Sequence, residues 1–301
     1  MCAVIVTHNP DIHWPVRVRA ASAQVAAVVV VDNGSKPVPS KKLERAWGQA
    51  PIVFLSNQDN VGIGAAMNRG FRWAARNQFE WILTLDQDSL PAPGMVRRLI
   101  EAIERHPARD EIGLVAPMAR DPEVPHEARF LRPWGPLAFH YSRCRGVWLD
   151  DVTFVNSSGC LHRAWVHRVL GGFREELFLD YVDIDYCLRA RRRGIQILVV
   201  CGAELRHRVG RRRERTLWKG RHYPTFHDPV RWYYMSRNRV QMWLGHAWRT
   251  PHWAVYDALA GVNSAFRMLA FEDRRREKIR MSLRGVWDGI RGRLGALPRQ
   301  S

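Results

Sequence analysis

The chain has 301 residues, of which 46 % are hydrophobic and 25 % are charged, and its formal net charge at pH 7 is +18. This length and composition fit one or two globular domains and exclude a disordered, collagen-like or low-complexity protein. The five cysteines form no C-x-x-C pair, which disfavours a disulfide framework or a cysteine zinc site, and the default expectation is a reducing compartment without an export signal or a membrane span.

Short apolar segments rich in β-branched residues alternate with helical patterns along the first two thirds of the chain. The predicted strands cover residues 3–7, 25–31, 52–55, 81–85, 113–116 and 195–200, and the predicted helices cover 64–76, 95–106 and 187–193. Continuous apolar strands of this kind are buried on both faces, as in a parallel sheet. We therefore predict a Rossmann-like α/β fold with a mostly parallel sheet flanked by helices, whose ligand lies beyond the carboxyl ends of the strands.

Polar residues follow the first four predicted strands. They are Thr7-His8-Asn9, Asp32-Asn33-Gly34-Ser35, Asn57-Gln58-Asp59-Asn60 and Asp86-Gln87-Asp88-Ser89. Any one of these segments is explained as a turn or a helix cap. Four in succession equip one edge of the sheet for a ribose, a base and a metal-bound diphosphate.

Asp86 and Asp88 are separated by one residue at the end of a buried strand. Two carboxylates held close together repel each other unless a cation lies between them, and their hard oxygen atoms suit Mg²⁺ or Mn²⁺. A divalent ion that bridges a diphosphate accounts for this pair, and a solvated loop that caps the next helix is the alternative. His207, after the last predicted strand, is either a third metal ligand or a polar residue at a strand end.

Small residues occupy the start of the helix after the third strand, in the segment Asn60-Val-Gly-Ile-Gly-Ala-Ala-Met-Asn68. They permit a close approach of the backbone to a ligand or to the sheet, and a helix N-terminus favours negative charge. The segment lacks the G-x-G-x-x-G spacing of a dinucleotide-binding fold, which argues against a dehydrogenase.

Three aspartates, Asp180, Asp183 and Asp185, lie in an apolar and aromatic stretch before the helix predicted at 187–193. Buried carboxylates are costly unless they are capped, paired or functional. A partly desolvated aspartate has a raised pKa and can act as a general base. Capping of the helix by Asp183 or Asp185 is the simpler alternative.

Most of the excess positive charge lies in the last third of the chain. Residues 1–200 include 25 basic and 21 acidic residues, whereas residues 201–301 include 22 basic and 8 acidic residues. Apolar residues recur there at helical spacing over 253–270 and 279–294 and predict two amphipathic helices. Their Trp and Arg content fits helices that lie on an anionic membrane, although a helix packed against a protein core would show the same stripe.

Six sequence blocks resemble, in order and spacing, glycosyltransferase family 2 of the GT-A fold over about residues 3–210. The blocks are AVIVTHN, VVVVDNGS, NQDNVGIGAAMNRG, LTLDQDS, FVNSSGCL and LFLDYVDIDYCLRARRRG. Within that family, the Asp-Gln-Asp-Ser form, the block 180–186 and the stretch 233–238 are most similar to bacterial rhamnosyltransferases.

The resemblance implies an inverting, metal-dependent transfer of a sugar from a nucleoside diphosphate. Asp88 would be the chief metal ligand, Asp86 would contact the metal and the nucleotide, and His207 would complete the metal site. The family carries an acidic pair before a long helix, and Val182 stands here in place of its first member. Matching Asp185 to the next acidic residue of the family makes Asp183 the catalytic base, with Asp180 and Asp185 as further candidates for an acceptor-binding or auxiliary acid.

The same blocks imply the contacts of the nucleotide sugar. The expected contacts are Thr7, His8 and Asn9 in the base pocket, Asp32 at the base or ribose, and Asn60, Gly62, Asn68, Asp86 and Gln87 along the rest of the donor. The donor would be dTDP-L-rhamnose, or else a UDP-sugar that carries galactofuranose or a hexose.

The expected acceptor is a saccharide on a polyprenyl diphosphate at the inner face of the cytoplasmic membrane. Residues 1–215 would form the catalytic domain, and residues 216–301 would form a helical, basic, Trp-rich region that contacts the acceptor or the membrane surface. The expected location is therefore cytoplasmic and peripheral on that membrane.

A nucleic-acid-binding protein is the main alternative outside the enzymes, because the chain is basic and rich in aromatic residues. The near-neutral first 200 residues and the acidic strand ends argue against it, since a phosphate backbone avoids clusters of aspartate. We therefore expect no nucleic-acid partner. A catalytically inactive scaffold of the same family is a further alternative, but all the motif aspartates are present.

Overall fold

A computed structural model describes residues 1–38, 50–121, 128–207 and 225–298, together with the short strand segments 211–212, 215–217 and 220–222. The strands are β1 (Cys2–Thr7), β2 (Val28–Asn33), β3 (Ile52–Asn57), β4 (Trp81–Asp86), β5 (Ser89–Pro91), β6 (Ile112–Arg120), β7 (Arg129–Pro133), β8 (Phe139–Arg143), β9 (Trp148–Leu149), β10 (Leu161–Arg163), β11 (Gln196–His207), β12 (Arg211–Arg212), β13 (Arg215–Leu217), β14 (Gly220–His222) and β15 (Thr225–Phe226). The helices are α1 (Trp14–Ser22), α2 (Ile63–Arg76), α3 (Met95–Arg105), α4 (Ala164–Leu170), α5 (Val182–Arg191), α6 (Pro229–His246), α7 (Pro251–Phe271) and α8 (Arg275–Ile290), and a short 3-10 helix covers Glu175–Leu177.

The central sheet has nine strands in the order β3-β2-β1-β4-β10-β6-β11-β5, with β9 paired to β11. Strands β1 to β4 run parallel to one another, as do β6 and β11, while β5, β9 and β10 pair with their neighbours antiparallel. Helices α2, α4 and α5 cover one face and α1 and α3 cover the other, so β1 and β2 are buried along their whole length. The predicted α/β fold is confirmed.

The predicted strands are present, with differences at their ends. The second strand begins at Val28 rather than at residue 25. The last strand continues to His207, because beyond a bulge it pairs with the second half of β6 and with β5. The helix predicted at 187–193 begins at Val182 instead, so that Asp183 and Asp185 lie in its first turn.

The two predicted amphipathic helices of the last third are present as α7 and α8. Helix α8 packs closely on α6 through two glycines: a Cβ atom on Gly285 would lie 2.3 Å from the carbonyl oxygen of Tyr233, and one on Gly289 would lie 2.7 Å from that of Arg237. Among the helices that the structure describes, none combines the length and the apolar content that crossing a bilayer requires.

One disulfide bond joins Cys144, directly after β8, to Cys201 in β11. The expectation of reduced cysteines is therefore wrong for this pair. The fold brings together two residues that are 57 positions apart in the sequence, and spacing rules do not reveal such a pair. The other cysteines, Cys2, Cys160 and Cys187, are buried and free.

Candidate active site

A cleft of about 710 Å³ opens at the carboxyl ends of β1, β2 and β4. Its walls also include the loop before α2, the start of α5 and the first turns of α6. The polar side chains that line it include His8, Asn33, Asn60, Asp86, Gln87, Asp88, Asp180, Asp183, His207 and Arg231. The fold thus brings the strand ends and the acidic stretch around 180–185 into one cleft.

Asp86, Asp88 and His207 form a cluster at one side of this cleft. Nε2 of His207 lies 3.9 Å from Oδ2 of Asp86, and its Nδ1 lies 3.5 Å from Oδ1 of Asp88. One ligand atom from each residue lies within 4.8 Å of the others. Two carboxylates and an imidazole are a donor set that Mn²⁺ and Mg²⁺ accept, so these side chains fit a divalent cation.

Local pairing explains why His207 reaches the two aspartates. Strand β5 runs antiparallel to β11 with Ser89 opposite His207, and Oγ of Ser89 shares a 2.8 Å hydrogen bond with Nδ1 of the imidazole. Ser158 holds the other end of the cluster, because its Oγ accepts the backbone N–H of Asp86 at 3.0 Å. The cluster is therefore positioned by the sheet and by two serines.

Burial raises the pKa of Asp86, and the carboxylate of Asp88 raises it further, while His207 opposes the shift. Such a shift means that ionising Asp86 here costs free energy. A divalent cation between the carboxylates would remove that cost, since it favours the ionised form of both.

Asp32, near the end of β2, is fully buried. Oγ1 of Thr7 donates to its Oδ1 at 3.2 Å, the Ser35 hydroxyl donates to the same oxygen, and the Ser35 N–H donates to Oδ2 at 3.2 Å. The register of β1 on β2 places Thr7 opposite Asp32. The two residues thus form a hydrogen-bonded pair beneath the cleft, and neither belongs to the lining described above.

His8 and Gln87 meet between the ends of β1 and β4. The backbone N–H of His8 donates to Oε1 of Gln87 at 2.7 Å, and both side chains line the cleft. Asn9 turns toward the loop after β2, where its N–H donates to Oγ of Ser35 at 2.8 Å and its Oδ1 accepts the N–H of Lys36 at 2.9 Å. Asn9 therefore shapes the loop beside the cleft.

Asn33, which is one of the polar residues at the end of the second strand but had no role assigned from the sequence, organises the start of α2. Its Nδ2 donates to Oδ1 of Asn60 at 2.9 Å, and its Oδ1 accepts the N–H of Val61 at 3.0 Å. Gly62 has a φ of +89°, and a Cβ atom there would lie 2.9 Å from the side chain of Phe178. Glycine is needed at this position both for the backbone conformation and for the close approach. Asn33 is the last residue of β2, and this position at a strand end was the sequence signal that could have identified it.

Asn68 lies in the core, on the inner side of α2. Its Nδ2 donates to the carbonyl oxygen of Phe173 at 2.9 Å and to Oε1 of Glu175 at 2.8 Å, while its Oδ1 accepts the N–H of Phe173 at 2.9 Å. These bonds fasten α2 to the segment before α5. The structure thus places this expected donor contact away from the cleft lining.

Asp183 lies in the first turn of α5 and lines the cleft. Burial raises its pKa to about 6; the N–H of Ile184, which donates to its Oδ1 at 2.9 Å, opposes the shift, and the carboxylates of Asp180 and Asp86 add to it. A carboxyl group with this pKa is largely ionised at neutral pH and is still basic enough to accept a proton from a reacting hydroxyl group.

Asp180 is bound by Arg231 of α6, and both side chains line the cleft. Nη2 of the arginine donates to Oδ1 at 2.7 Å and Nε donates to Oδ2 at 3.1 Å, which is a two-point contact. Sequence reasoning missed Arg231, whose partner lies 51 positions earlier in the chain.

Asp185 is fully buried and lies on the side of α5 that faces α6. Nε of Arg189 donates to one carboxylate oxygen at 2.7 Å, and Nε2 of His246 donates to the other at 2.9 Å. Burial opposes ionisation, but the hydrogen bond from His246 and the guanidinium groups of Arg189 and Arg174 lower the pKa of Asp185. Asp185 therefore joins two helices as an ionised group and does not belong to the cleft lining described above.

Asn238 of α6 holds the segment that leads into α5. Its Nδ2 donates to three backbone carbonyl oxygens, those of Leu177 at 2.8 Å, Leu179 at 2.6 Å and Asp180 at 3.1 Å. Arg237 supports the same segment, with Nη2 donating to the carbonyl oxygen of Leu177 at 2.9 Å. Both residues belong to the stretch 233–238, for which the sequence suggested a similarity but no role.

The segment that Asn238 holds, residues 177–181, includes three residues other than glycine with positive φ values. Phe178, Asp180 and Tyr181 have φ values of +64°, +60° and +65°. Such conformations cost about 1–3 kcal/mol each for residues other than glycine and persist where the surroundings enforce them. Here Asn238 enforces them from one side, and Asp257 of α7 does so from the other by accepting a 2.7 Å hydrogen bond from the Tyr181 hydroxyl. The result places Asp183 in the cleft.

Comparison with known proteins identifies relatives of this chain. A dTDP-rhamnosyl transferase RfbF from Shigella flexneri is 29 % identical over 244 residues, which cover 78 % of this chain and 77 % of that protein. An N-acetylglucosaminyl-diphospho-decaprenol L-rhamnosyltransferase from Mycobacterium tuberculosis is 24 % identical over 313 residues, which cover 92 % and 96 %.

Solved structures share the fold at low sequence identity. The structure of S. aureus TarS 1-349 in complex with UDP-GlcNAc has a TM-score of 0.58 and 15 % identity, and the match covers 96 % of this chain and 80 % of that one. GalNAc-T7 with UDP, GalNAc and Mn²⁺ has a TM-score of 0.55 and 13 % identity, over 69 % of this chain and 43 % of that one, so this chain spans less than half of that structure.

The sequence profile of Glycosyl transferase family 2 matches residues 4–165, which is more than half of the chain. The matched range includes β1 to β4 and the two aspartates of the cluster at the end of β4. The protein therefore belongs to glycosyl transferase family 2 and is a glycosyltransferase.

Proposed function

We propose that the protein transfers L-rhamnose from dTDP-L-rhamnose, with inversion, to a saccharide acceptor in the synthesis of a cell-surface polysaccharide. The observation that carries this proposal is that Asp183 shares one cleft with the cluster of Asp86, Asp88 and His207. The names of the Shigella and Mycobacterium relatives support rhamnose as the sugar.

In this reaction a hydroxyl group of the acceptor attacks the anomeric carbon of the donor sugar on the face opposite the diphosphate. The new C–O bond forms while the bond to the diphosphate breaks, and the nucleoside diphosphate leaves with the electron pair. The carboxylate of Asp183 accepts the proton of the attacking hydroxyl. No covalent bond between sugar and protein is required.

Asp86, Asp88 and His207 would hold Mg²⁺ or Mn²⁺, and the ion, when bound, supplies positive charge that offsets the charge developing on the leaving diphosphate. Among the described residues that line the cleft, Arg231 carries a guanidinium group. Its two-point contact with Asp180 keeps that carboxylate neutralised, so that Asp183 is the carboxylate left to accept the proton.

The proposed donor contacts divide into two groups. His8, Asn60 and Gln87 line the cleft and would touch the nucleotide directly. The remaining expected residues would act from beneath or beside it: the Thr7–Asp32 pair and Asn9 shape the base pocket, Gly62 leaves room at the start of α2, and Asn68 holds that helix.

We further propose that the acceptor is linked to a polyprenyl diphosphate and that residues 216–301 contact the inner face of the cytoplasmic membrane, with the catalytic domain 1–215 in the cytoplasm. The name of the Mycobacterium relative, which includes diphospho-decaprenol, supports the lipid-linked acceptor. Helices α7 and α8 support the membrane contact.

Helix α7 presents an exposed apolar stripe formed by Val255, Leu259, Val262, Phe266 and Leu269, with Val262 71 % and Phe266 61 % exposed. At 100° per residue these side chains share one face, while the buried Trp253, Asp257 and Met268 lie on the other side of the helix. Packing within the described protein therefore does not explain the stripe.

Helix α8 repeats this arrangement beside a row of basic residues. Its exposed apolar face is formed by Ile279, Leu283, Val286, Trp287 and Ile290, and the basic residues next to it are Arg280, Arg284 and Arg291. Residues 229–298 include 13 basic and 5 acidic residues, of which Asp257, Glu272 and Asp288 are buried. Charge complementarity favours an anionic bilayer over a second copy of this basic chain, which would bring like charges together.

Vesicle sedimentation tests the membrane contact. We expect wild type to sediment with vesicles that contain anionic lipid and much less with neutral vesicles, and the double variant Val262→Glu/Phe266→Glu to lose binding. Ile12→Glu, at an exposed apolar residue far from these helices in the sequence, is the matched control. Equal sedimentation of all three proteins, or a dimer that only the double variant disrupts, would overturn this part of the proposal.

The donor is tested by binding and turnover. We would titrate dTDP-L-rhamnose and UDP-hexoses into wild type and into Asp88→Ala and Asp183→Asn variants, with Mn²⁺ or Mg²⁺ present and absent. The proposal predicts metal-dependent binding of the rhamnose donor that Asp88→Ala weakens and Asp183→Asn retains. Binding of UDP-hexoses alone would replace the rhamnosyl donor but keep the roles, and binding of neither would remove the proposed function.

A further inference from the structure

A second cavity, of about 180 Å³, lies beside the cleft between β6, the β7–β8 hairpin and the start of α7. This volume corresponds to about six water molecules, which is the scale of a single sugar ring and too small for a nucleotide sugar. The cavity is separate from the cleft in which the donor is proposed to bind.

Two residues of the block FVNSSGCL connect this cavity to the reacting groups. Asn156 lines both the cavity and the cleft. Ser158 lines the cavity and accepts the backbone N–H of Asp86 at 3.0 Å. A molecule in the cavity therefore lies next to the cleft that contains Asp183, although none of the roles assigned so far uses the cavity.

The residues that line the cavity include three aromatic side chains near one another and two alanines. Phe154 and Tyr256 lie with ring centroids 5.6 Å apart, and the ring of Tyr141, which is 52 % exposed, lies 6.2 Å from that of Tyr256. Ala116 and Ala119 also line the cavity. A sugar ring has an apolar C–H face that packs on such rings and hydroxyl groups at its edge that need hydrogen-bond partners.

Polar groups are available at the edge of this aromatic wall. The hydroxyl groups of Tyr141 and Tyr256 form a hydrogen bond with each other, which places two phenol oxygens together beside these rings. Arg129, an exposed residue, also lines the cavity and adds a positive charge. A guanidinium in this position suits a ligand that carries phosphate.

We infer that this cavity is the acceptor subsite, which takes one sugar ring carried on a diphosphate and directs its hydroxyl group past Asn156 toward Asp183. The inference rests on the proposed function, since it assumes that the cleft holds the donor. The inference also accounts for the position of the lipid chain. Tyr256 of the cavity belongs to α7, the helix whose exposed stripe is proposed to lie on the membrane, so the lipid of the acceptor would lie near that membrane.

The test measures two rates in one sample of the full chain loaded with Mn²⁺ and dTDP-L-rhamnose. One is transfer to N-acetylglucosaminyl diphosphate on a short synthetic polyprenyl chain, and the other is hydrolysis of the donor by water. We expect Tyr141→Ala to lower the ratio of transfer to hydrolysis by about tenfold through a higher KM for the probe, and Arg129→Ala and Tyr256→Phe to lower it by smaller factors. Trp134→Ala, at an exposed aromatic residue of the same hairpin that is not among the residues lining the cavity, should keep both rates at wild-type values.

The outcomes separate this inference from the proposed function. If the three cavity variants keep the wild-type ratio, the cavity is not the acceptor subsite and the proposed function stands. If wild type hydrolyses the donor but neither binds nor glycosylates the probe, the cavity is not a subsite for a diphosphate-linked sugar, and the lipid-linked acceptor is removed from the proposed function while the rhamnose donor is kept. If wild type neither binds nor hydrolyses the donor, both the acceptor subsite and the proposed function are wrong.

Discussion

The two walls of the cleft are built in different ways. On the first wall, Asp86 and Asp88 lie at or just beyond the end of the parallel strand β4, and the sheet and two serines, Ser89 and Ser158, position their cluster. On the second wall, Asp183 follows a strained segment that Asn238 holds from 58 to 61 positions away in the sequence. The first wall therefore depends mainly on strand pairing, whereas the second depends on side-chain hydrogen bonds to backbone carbonyls.

The largest effect of a single substitution is expected at Asp183, the proposed base on the second wall. Asp183→Asn keeps the shape of the side chain but removes the proton acceptor, so we expect transfer to fall by about 10²–10⁴-fold with little change in donor affinity. Steady-state kinetics and donor titration measure both quantities, with the surface variant Asp110→Asn as control. A variant with more than a tenth of wild-type turnover would show that Asp183 is not the base.

On the first wall, the largest effect is expected at Asp88. Asp88→Ala removes a proposed ligand of the cation whose side chain is 41 % exposed, so binding of Mn²⁺ and transfer should both fall by about 100-fold while the fold is retained. Titration with Mn²⁺ followed by its paramagnetic signal checks the binding. Unchanged affinity for Mn²⁺ would place the metal elsewhere.

Two buried asparagines, Asn68 and Asn238, separate an effect on stability from an effect on catalysis. Asn68 and Asn238 each hold a loop segment through hydrogen bonds to backbone carbonyls, so each change to Ala should destabilise the protein by about 1–3 kcal/mol in urea unfolding. Only Asn238→Ala should also lower kcat, by about tenfold, with the KM for the donor nearly unchanged, because only Asn238 holds the segment that leads into Asp183. Equal kcat in the two folded variants would remove the positioning role of Asn238.

The pH dependence of transfer tests the same carboxylate without a substitution. Burial raises the pKa of Asp183 to about 6, and a protonated carboxyl group cannot accept a proton. Transfer should therefore rise by about tenfold per pH unit below the pKa and level off above it. A bound divalent cation favours the carboxylate, so the acidic limb of kcat/KM should lie at or below pH 6. A limb centred above pH 7 would contradict this assignment.

The same contrast between the walls explains what the sequence could predict. Strand ends marked by Asp32, Asp86 and Asp88 were readable because apolar runs and polar turn residues are local signals. The roles of Asn68 and Asp185 were not readable, since each depends on partners brought close by packing, such as Phe173 for Asn68 and His246 for Asp185. The bond between Cys144 and Cys201 was missed for the same physical reason.

The predicted start of α5, near the site, was wrong for a related reason. Helix α5 begins five residues earlier than predicted, because the aspartates in its first turn carry no helical apolar period. The stripes of α7 and α8 were predicted correctly from their period. Only the structure distinguishes an exposed stripe from one that packs against the core, since both have the same sequence pattern.

We propose that one carboxylate on the second wall activates the acceptor while the diphosphate leaves toward the cluster on the first wall. The most direct test is the anomeric configuration of the freshly transferred sugar, followed by NMR as the reaction proceeds. A single displacement predicts a configuration opposite to that of the donor in every initial product molecule. Retention of the donor configuration would require a covalent or front-face route and would contradict the account.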